Sequence, residues 1–329
     1  MVWRAVVGYL AMQEDFAQFK AALAQHARVA LITHKRPDGD AIGSLLALAA
    51  YVGRLGKNVH SYCVDEVPGV LKFLPGVDAV KKPGDDFWKQ ASAVIMVDCG
   101  DVSMAGPAIR EDVLGRVILN IDHHVSNPRY GAVNVVRNTA AATAEIIYRF
   151  FAEDGFVIDK DTATCLLCGV YTDTDAFTNL GTTPESLAVS SELLKLGANF
   201  RDITANTMRN KSLSSLKLWG RALERLRLDP RKGIAVTVLK DSDFGECEAE
   251  PDDAEGVASL LNHLADVKMS MLLRELPDGT VKGSLRTTHE LIDVSQVAKL
   301  MGGGGHAKAA GFTVKGRITE TEHGWKIIE

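Results

Sequence analysis

His34, Asp38, Asp40, Asp98, His123 and Asp173 are the residues whose types and placement could do chemistry together. The first five each follow a short apolar run. Val29-Ala-Leu-Ile-Thr33 leads to His34 and on to Pro37-Asp-Gly-Asp40, Ala93-Val-Ile-Met-Val97 leads to Asp98, and Val117-Ile-Leu-Asn-Ile121 leads to Asp122-His123-His124. Asp173 stands in Tyr171-Thr-Asp-Thr-Asp175, behind an apolar helical pattern. Carboxylates gathered at one edge repel each other and lose hydration, which a divalent cation offsets. Mixed carboxylate and imidazole donors suit Mn²⁺ and also accept Mg²⁺, Co²⁺ or Fe²⁺. A structural zinc would more often draw on cysteines, and here these lie off the pattern. Six candidate ligands exceed the share of one octahedral ion once water and substrate take positions, so two ions sharing a carboxylate fit better. Such pairs, about 3.5–4 Å apart, stabilise the attacking and leaving oxygens of an in-line displacement at phosphorus. Water held by such ions gives up a proton near neutral pH.

Taken singly, each residue also has a plain structural reading. His34 could be a strand-end histidine bonded to backbone, and Asp38-Gly-Asp40 an ordinary turn and helix cap. Asp98 and Asp122 could cap loops, His123 and His124 could lie on the surface, and Asp173 with Asp175 could form a solvated turn. Three strand ends that all terminate in these residue types favour the metal reading, because parallel strands bring their carboxyl ends to one crevice.

The elements that must position these groups read as an α/β fold. Near-continuous apolar runs at Val29 to Thr33, Asn58 to Val64, Ala93 to Val97 and Val117 to Ile121 alternate with helical patterns at Ala41 to Leu55, Ala141 to Phe151, Thr162 to Tyr171 and Pro184 to Leu196. That alternation predicts a mainly parallel sheet flanked by helices. Asp40 is placed to cap the helix starting at Ala41, and Gly56 to end it. At 329 residues the chain exceeds one ordinary core. We expect a first domain over 1–197, a helical linker over 198–230 with Leu213, Leu216, Trp219 and Leu223 at helical spacing, and a smaller α+β domain over 231–329. The latter should hold strands at Ile234 to Leu239, Val267 to Glu275 and Val281 to Thr287, a helix near Ala254 to Leu264, and a turn at Pro277-Asp-Gly279.

Composition narrows the partners. With 37 basic against 42 acidic residues the formal charge is −5, which disfavours wrapping of long duplex nucleic acid and suits small or short anionic substrates. The five cysteines are odd in number and spread through apolar elements, so a disulfide framework is not expected. Cys165 and Cys168 have redox-motif spacing but sit in an apolar helix, where buried thiols are expected. No apolar run approaches the roughly 20 residues that span a bilayer, and the N-terminus lacks a secretory layout. A cytoplasmic protein without a membrane partner follows. The oligomeric state is open, a homodimer included.

The order His-x3-Asp-x-Asp, then Asp98, then Asp122-His-His124, then Asp173 resembles the DHH phosphoesterase superfamily. The resemblance implies that His34 and Asp38 bind one Mn²⁺, that Asp40, His123 and Asp173 bind another, and that Asp98 bridges them. It implies a substrate-facing role for His124 and an orienting role for Asp122. Asp175 departs from the small residue usual there and is left out of the ligand set.

Met301-Gly302-Gly303-Gly304-Gly305-His306 is followed by Ala-Lys-Ala-Ala-Gly311. It resembles the substrate loop of a DHHA1-type second domain. Its glycines, Gly303, Gly304 and Gly305 among them, could approach a phosphate closely and turn N–H groups on it, with His306 a donor at the rim. Arg286 ends a strand and could grip a phosphate with its planar fork, while Lys308 reads as a surface residue. A compact two-domain chain resembles the nano-RNase group of this superfamily. That implies hydrolysis of very short RNAs to nucleoside 5′-monophosphates, and of 3′-phosphoadenosine 5′-phosphate to AMP. Alternatives are a soluble phosphodiesterase of linear or cyclic di-adenosine phosphates, and a non-catalytic nucleotide-binding module.

Overall fold

The computed structural model describes residues 2–329 except 114, 209, 210, 266, 306, 322, 323 and 329, with backbone alone for 2–11. The chain divides into two compact units, Met1–Asn210 and Lys211–Glu329.

The first unit holds helices α1 (Val2–Ala24), α2 (Gly39–Arg54), α3 (Asp86–Gln90), α4 (Pro107–Asp112), α5 (Thr143–Asp154), α6 (Lys160–Asp173), α7 (Pro184–Lys195) and α8 (Phe200–Thr207). Its strands are β1 (Arg28–Ile32), β2 (Asn58–Tyr62), β3 (Val80–Lys81), β4 (Ala93–Val97), β5 (Val117–Asp122) and β6 (Val133–Val136). They form one parallel sheet in the order β3-β2-β1-β4-β5-β6. β4 is buried at every position because the sheet is covered on both faces. Val29, Leu31, Ile95 and Val97 join one core with α2, α5 and α6, while Ala30, Ile32, Val94 and Met96 join another with Trp88 and Ile109. The chain leaves β1 for β2 and returns at β4 on the other side of β1. The switch point therefore falls between β1 and β4, where open α/β sheets bind ligands.

Two helices are drawn together by missing side chains. A Cβ on Gly43 of α2 would lie 2.2 Å from the Cys165 carbonyl oxygen, and one on Gly39 would lie 2.3 Å from Thr172 Oγ1. On α6, a Cβ at Gly169 would lie 2.7 Å from Asp40 Oδ1 and 2.7 Å from Ala144. This crossing brings the start of α2, with Asp38 and Asp40, to the end of α6, with Asp173. The expected cap needs correction. Asp38 caps α2, its Oδ1 accepting from Ala41 N at 3.0 Å, whereas Asp40 is buried and accepts from the amides of Thr143 and Ala144 at 2.7 and 2.9 Å. The two free amides at the start of α5 outcompete the local cap for Asp40.

The second unit holds α9 (Leu213–Glu224), α10 (Asp241–Glu246), α11 (Val257–Leu260) and α12 (Val294–Leu300). Its strands are β7 (Arg227–Asp229), β8 (Ile234–Leu239), β9 (Met269–Glu275), β10 (Thr280–Arg286), β11 (Gly304–Gly305), β12 (Ala309–Lys315), β13 (Arg317–Thr321) and β14 (Gly324–Ile328). One sheet runs β11-β12-β10-β9-β8-β7, and β13 pairs with β14. β8 and β9 are parallel, and the other pairs are antiparallel. The helix expected near Ala254 to Leu264 is instead α11 between two 3₁₀ turns. Gly256 interrupts it with a left-handed φ of 92°, in a spot where a Cβ would press on the Trp219 ring at 2.8 Å. The stretch 198–230 holds two helices rather than one. α8 places Ile203 in the core of the first unit, and α9 places Leu218 and Ala222 in the second, while Leu213, Leu216 and Leu223 are exposed. All five cysteines are unpaired and buried. Among the described residues no helix is long and apolar enough to cross a membrane.

The α2–α6 contact generates a prediction of opposite signs within one helix. Gly43→Ala should lower stability by about 1–3 kcal/mol through overpacking. Gly53→Ala, whose Cβ would meet only Val59 at 3.8 Å, should raise it by about 0.5–1 kcal/mol. Urea melts of both variants check this, and a Gly43→Ala midpoint at or above the parent's would refute the close crossing.

Candidate metal centre

The sheet's carboxyl edge brings all six sequence candidates together. His34 Nε2 lies 3.4 Å from Asp98 Oδ2 and 3.9 Å from Asp38 Oδ1. His123 Nε2 lies 3.7 Å from Asp98 Oδ1 and 3.4 Å from Asp173 Oδ2. Asp98 thus turns one oxygen to each histidine. The donor atoms of His34, Asp38 and Asp98 lie within 4.8 Å of one another, as do those of Asp40, His123 and Asp173, and those of Asp98, His123 and His124. These Asp and His groups could hold metal ions, and the oxygen and imidazole donors fit the harder divalent ions better than a thiolate-loving one.

Local structure aims the rings. His34 Nδ1 is 2.9 Å from the Lys35 carbonyl and His123 Nδ1 is 3.3 Å from that of Ala140. Each Nδ1–H donates to backbone, so each Nε2 faces the cluster. Asp98 takes a left-handed φ of 56°, a region that aspartate tolerates better than most residues with a side chain. Its N–H still bonds Ile121 O at 3.0 Å, so the kink comes only as the strand ends. Thr143 Oγ1 donates to Asp98 Oδ1 at 2.8 Å, while the Thr143 amide donates to Asp40. Thr143 was not singled out from the sequence. Its one signal there is its place at a helix start behind Ala142, a residue without a capping side chain.

The charges compete. Burial pulls His34 and His123 down, but the Asp98 contact and the Asp38 charge at His34, and the Asp173 and Asp98 charges at His123, lift each to about 9. Burial also raises Asp173, to about 7, despite the opposing charge of His123. Asp40 is pushed well up by burial and by the charges of Asp98 and Asp173. Burial would raise Asp98 too, but His34, His123 and His124 together hold it below the usual carboxylate range. Beside the cluster, His124 Nδ1 is 2.7 Å from Oδ1 of the fully buried Asp122. Burial lowers His124, and Asp122 and Asp98 more than reverse this.

In the second unit, Arg286 ends β10 with its guanidinium half-buried and bonded to Leu285 O at 2.9 Å, and burial depresses its pKa. The glycine run is shaped by its own chain. The amides of Gly302 and Gly303 donate to Lys299 O and Ala298 O at 3.0 and 2.8 Å, so they finish α12 instead of standing open to an anion as expected. A Cβ at Gly303 would lie 2.1 Å from Gly311 O, and one at Gly305, where φ is 140°, would lie 2.6 Å from Ala310 Cα. Gly304 and Gly305 are exposed and pair with β12. His306 lies outside the described residues. Lys308 Nζ donates to the carbonyls of His289, Glu290 and Ile292 and so pins that loop.

Residues 28–170 match the model of the DHH family, N-terminal domain, and residues 232–323 match that of the DHHA1 domain. The chain is 33% identical over 286 residues to the bifunctional oligoribonuclease and PAP phosphatase NrnA of Thermus thermophilus, an alignment covering 87% of this chain and 84% of that protein. The chain belongs to the DHH family. It is also 27% identical to a probable bifunctional oligoribonuclease and PAP phosphatase NrnA of Streptococcus mutans, over 89% of this chain and 92% of that one. The crystal structure of an exopolyphosphatase-related protein from Bacteroides fragilis superposes with a TM-score of 0.86 at 25% identity, covering 91% of each chain. The DHH motif of this chain is thus Asp122-His123-His124, with one histidine facing Asp173 and the other held by Asp122.

The raised histidines set the pH response of metal uptake. With folded values near 9, both rings carry protons at neutral pH, and a ligating nitrogen must be bare. Binding of Mn²⁺ should therefore release at least two protons at neutral pH, one from each ring, with the raised Asp40 and Asp173 adding to the count, and affinity should climb as pH rises towards 9 and then level off. Calorimetric titration in buffers of different ionisation enthalpy measures the count. Uptake without proton release would exclude the two histidines as ligands.

Proposed function

We propose that this DHH-family protein is a Mn²⁺-dependent phosphoesterase that hydrolyses very short oligoribonucleotides to nucleoside 5′-monophosphates, and 3′-phosphoadenosine 5′-phosphate to AMP. The observation that carries it is Asp98, one carboxylate facing His34 with one oxygen and His123 with the other. The relatives named as oligoribonuclease and PAP phosphatase support the substrate class. In this reading His34 and Asp38 hold one ion, Asp40, His123 and Asp173 hold a second, and Asp98 is shared. Two such ions supply positive charge to the phosphate oxygens and acidify a water. Mg²⁺, Co²⁺ or Fe²⁺ could take the same mixed donors.

The chain's own groups do the rest. Asp122 fixes the His124 ring, which meets a phosphate oxygen of the substrate. Arg286 grips a phosphate by its planar fork, and its partly buried guanidinium, bonded among the described residues to the Leu285 carbonyl, makes an anionic partner favourable. Gly304, Gly305 and His306 are proposed to flank the same substrate. The acidic net charge of −5 gives no reward for a longer strand, which favours substrates of a few nucleotides. Buried unpaired cysteines suit a reducing compartment, and a cytoplasmic location belongs to this proposal.

Purified protein with Mn²⁺ should turn over a ribodinucleotide and 3′-phosphoadenosine 5′-phosphate. Cleavage of cyclic di-adenosine phosphate alone would replace this reading with the phosphodiesterase one, and binding without turnover on any of the three would remove the enzyme. Asp98→Ala should cut kcat by about 10³-fold, equivalent to several kcal/mol of lost charge stabilisation. Arg286→Ala should raise KM about 10- to 100-fold, as expected for a lost charged hydrogen bond, with Mn²⁺ binding unchanged. A KM equal to the parent's would rule out Arg286 as the phosphate clamp.

A further inference from the structure

Asn127 lies in the loop after β5, and its side-chain amide fills all four of its hydrogen-bonding positions. Nδ2 donates to Asp122 Oδ2 at 2.6 Å and to Cys99 O at 3.2 Å. Oδ1 accepts from the Arg129 amide at 2.8 Å and from Asn120 Nδ2 at 3.3 Å. Turning the amide over would set its oxygen against two acceptors and its NH₂ against two donors, so a single orientation is allowed. The Asn127 backbone N–H donates to His124 O at 3.2 Å, closing residues 124–127 into a turn.

The two bonds of Nδ2 reach the centre. Asp122 is completely buried, and as a carboxylate it accepts at both oxygens, from Asn127 on one side and from His124 Nδ1, 2.7 Å away, on the other. Asp122 therefore cannot rotate without losing one partner, and the ring it holds carries its proton on Nδ1. The second bond of Nδ2 goes to Cys99 O, in the residue that follows the left-handed Asp98. Tyr130 OH donates to that carbonyl as well, at 2.8 Å. Gly100 completes the contact: a Cβ there would come within 3.1 Å of His124 Cβ. One amide thus joins the turn that presents Asp98 to the turn that presents Asp122 and His124.

The geometry points to Asn127 as a positioning residue that acts through Asp122 on His124, an inference that rests on the function proposed above. Its amide bonds Asp122 and Cys99 and is not among the clustered donor atoms. It sets the rotation of Asp122 and through it the angle at which His124 meets the phosphate.

The test uses the full chain, Mn²⁺ and a ribodinucleotide. Outer partners of metal-site ligands typically change activity by about 10- to 100-fold. Asn127→Ala and Asn127→Ser should each lower kcat by about that factor, with KM within about twofold and the same number of Mn²⁺ ions bound per chain. Asn127→Asp keeps the shape but sets oxygens against Asp122 and Cys99 O, so it should be slower than Asn127→Ala. The double variant Asp122→Ala/Asn127→Ala decides the route. If Asn127 works through Asp122, the double variant is no slower than Asp122→Ala alone, whereas independent effects would multiply. Multiplying effects, an Asn127→Asp enzyme with parental kcat, or a loss that tracks missing Mn²⁺ would each overturn the inference. Should Asn127→Ala fail to fold, Asn127→Ser and Asn127→Asp carry the same comparison. A parent enzyme inert on both the ribodinucleotide and 3′-phosphoadenosine 5′-phosphate would strike the proposed function, whereas an active parent with unaffected variants strikes this inference alone.

Discussion

The carboxylate of Asp98 has three imidazoles turned to it, from His34, His123 and His124, and the charge balance around it governs the rest of the centre. Buried carboxylates at close range cannot all stay ionised without counter-charge. Asp98 takes the histidines' positive charge for itself and stays low, while Asp40 and Asp173 are pushed up. Protons on the imidazoles are thus the counter-charge that this chain supplies from within. Divalent ions at the same donors would replace those protons with a larger charge, and every carboxylate of the set would then gain. The geometry is that of a site whose own side chains only partly neutralise it.

The same atoms hold helices together. Asp40 accepts from the first amides of α5 and from Ser44 on its own helix, while Gly169 of α6 lies against it. α5 has no cap of its own at Ala142, so a residue about a hundred positions earlier satisfies amides that would otherwise be buried unpaired, each at about 1–3 kcal/mol. Thr143 then links Asp40 to Asp98. The centre and the packing of α2, α5 and α6 are one construction, and a change at Asp40 strikes both.

What could be read in the sequence divides along the same line. Strands β1, β4 and β5 were legible because two-sided burial writes itself as unbroken apolar runs, and their last residues were legible because carboxylates and histidines rarely end such runs by accident. Five of the six clustered side chains follow from that, and Asp173 from its place behind an apolar helical pattern. The cap of α2 was not legible: Asp38 and Asp40 are both near enough to the helix start, and only the distant amides of α5 decide between them. Thr143 and Asn127 were missed because their work is wholly tertiary. β6 is a short edge strand interrupted by Asn134, which gives little pattern. In the second unit, Ala254 to Leu264 has helical composition, and the contact of Gly256 with Trp219 that breaks it is invisible from spacing. The glycine run was read as open to a ligand, yet Gly303 and Gly305 are equally demanded by the close approach of β12.

Asp175 shows how strain is placed at the centre. The resemblance to DHH proteins leads one to expect a small residue there, and the backbone explains why: Asp175, Ala176 and Phe177 have φ of 49°, 56° and 65°. Aspartate tolerates the left-handed region better than most residues, but Ala176 and Phe177 each give up about 1–2 kcal/mol. The turn is held by Ala176 N to Tyr171 O at 2.8 Å and by Phe177 N to Thr174 Oγ1 at 3.1 Å, with the Phe177 ring edge-on to Tyr171. Asn179 Nδ2 then donates to the carbonyl of Asp173 itself at 2.7 Å. Asp98 therefore sits in a left-handed turn and Asp173 two residues before one, and the cost of both turns is offset by bonds to neighbouring groups. Backbone held in this way limits how far the carboxylates can move apart, so their repulsion is eased by protons or by a cation instead. Strain at the two turns and affinity for the ion are then parts of the same balance.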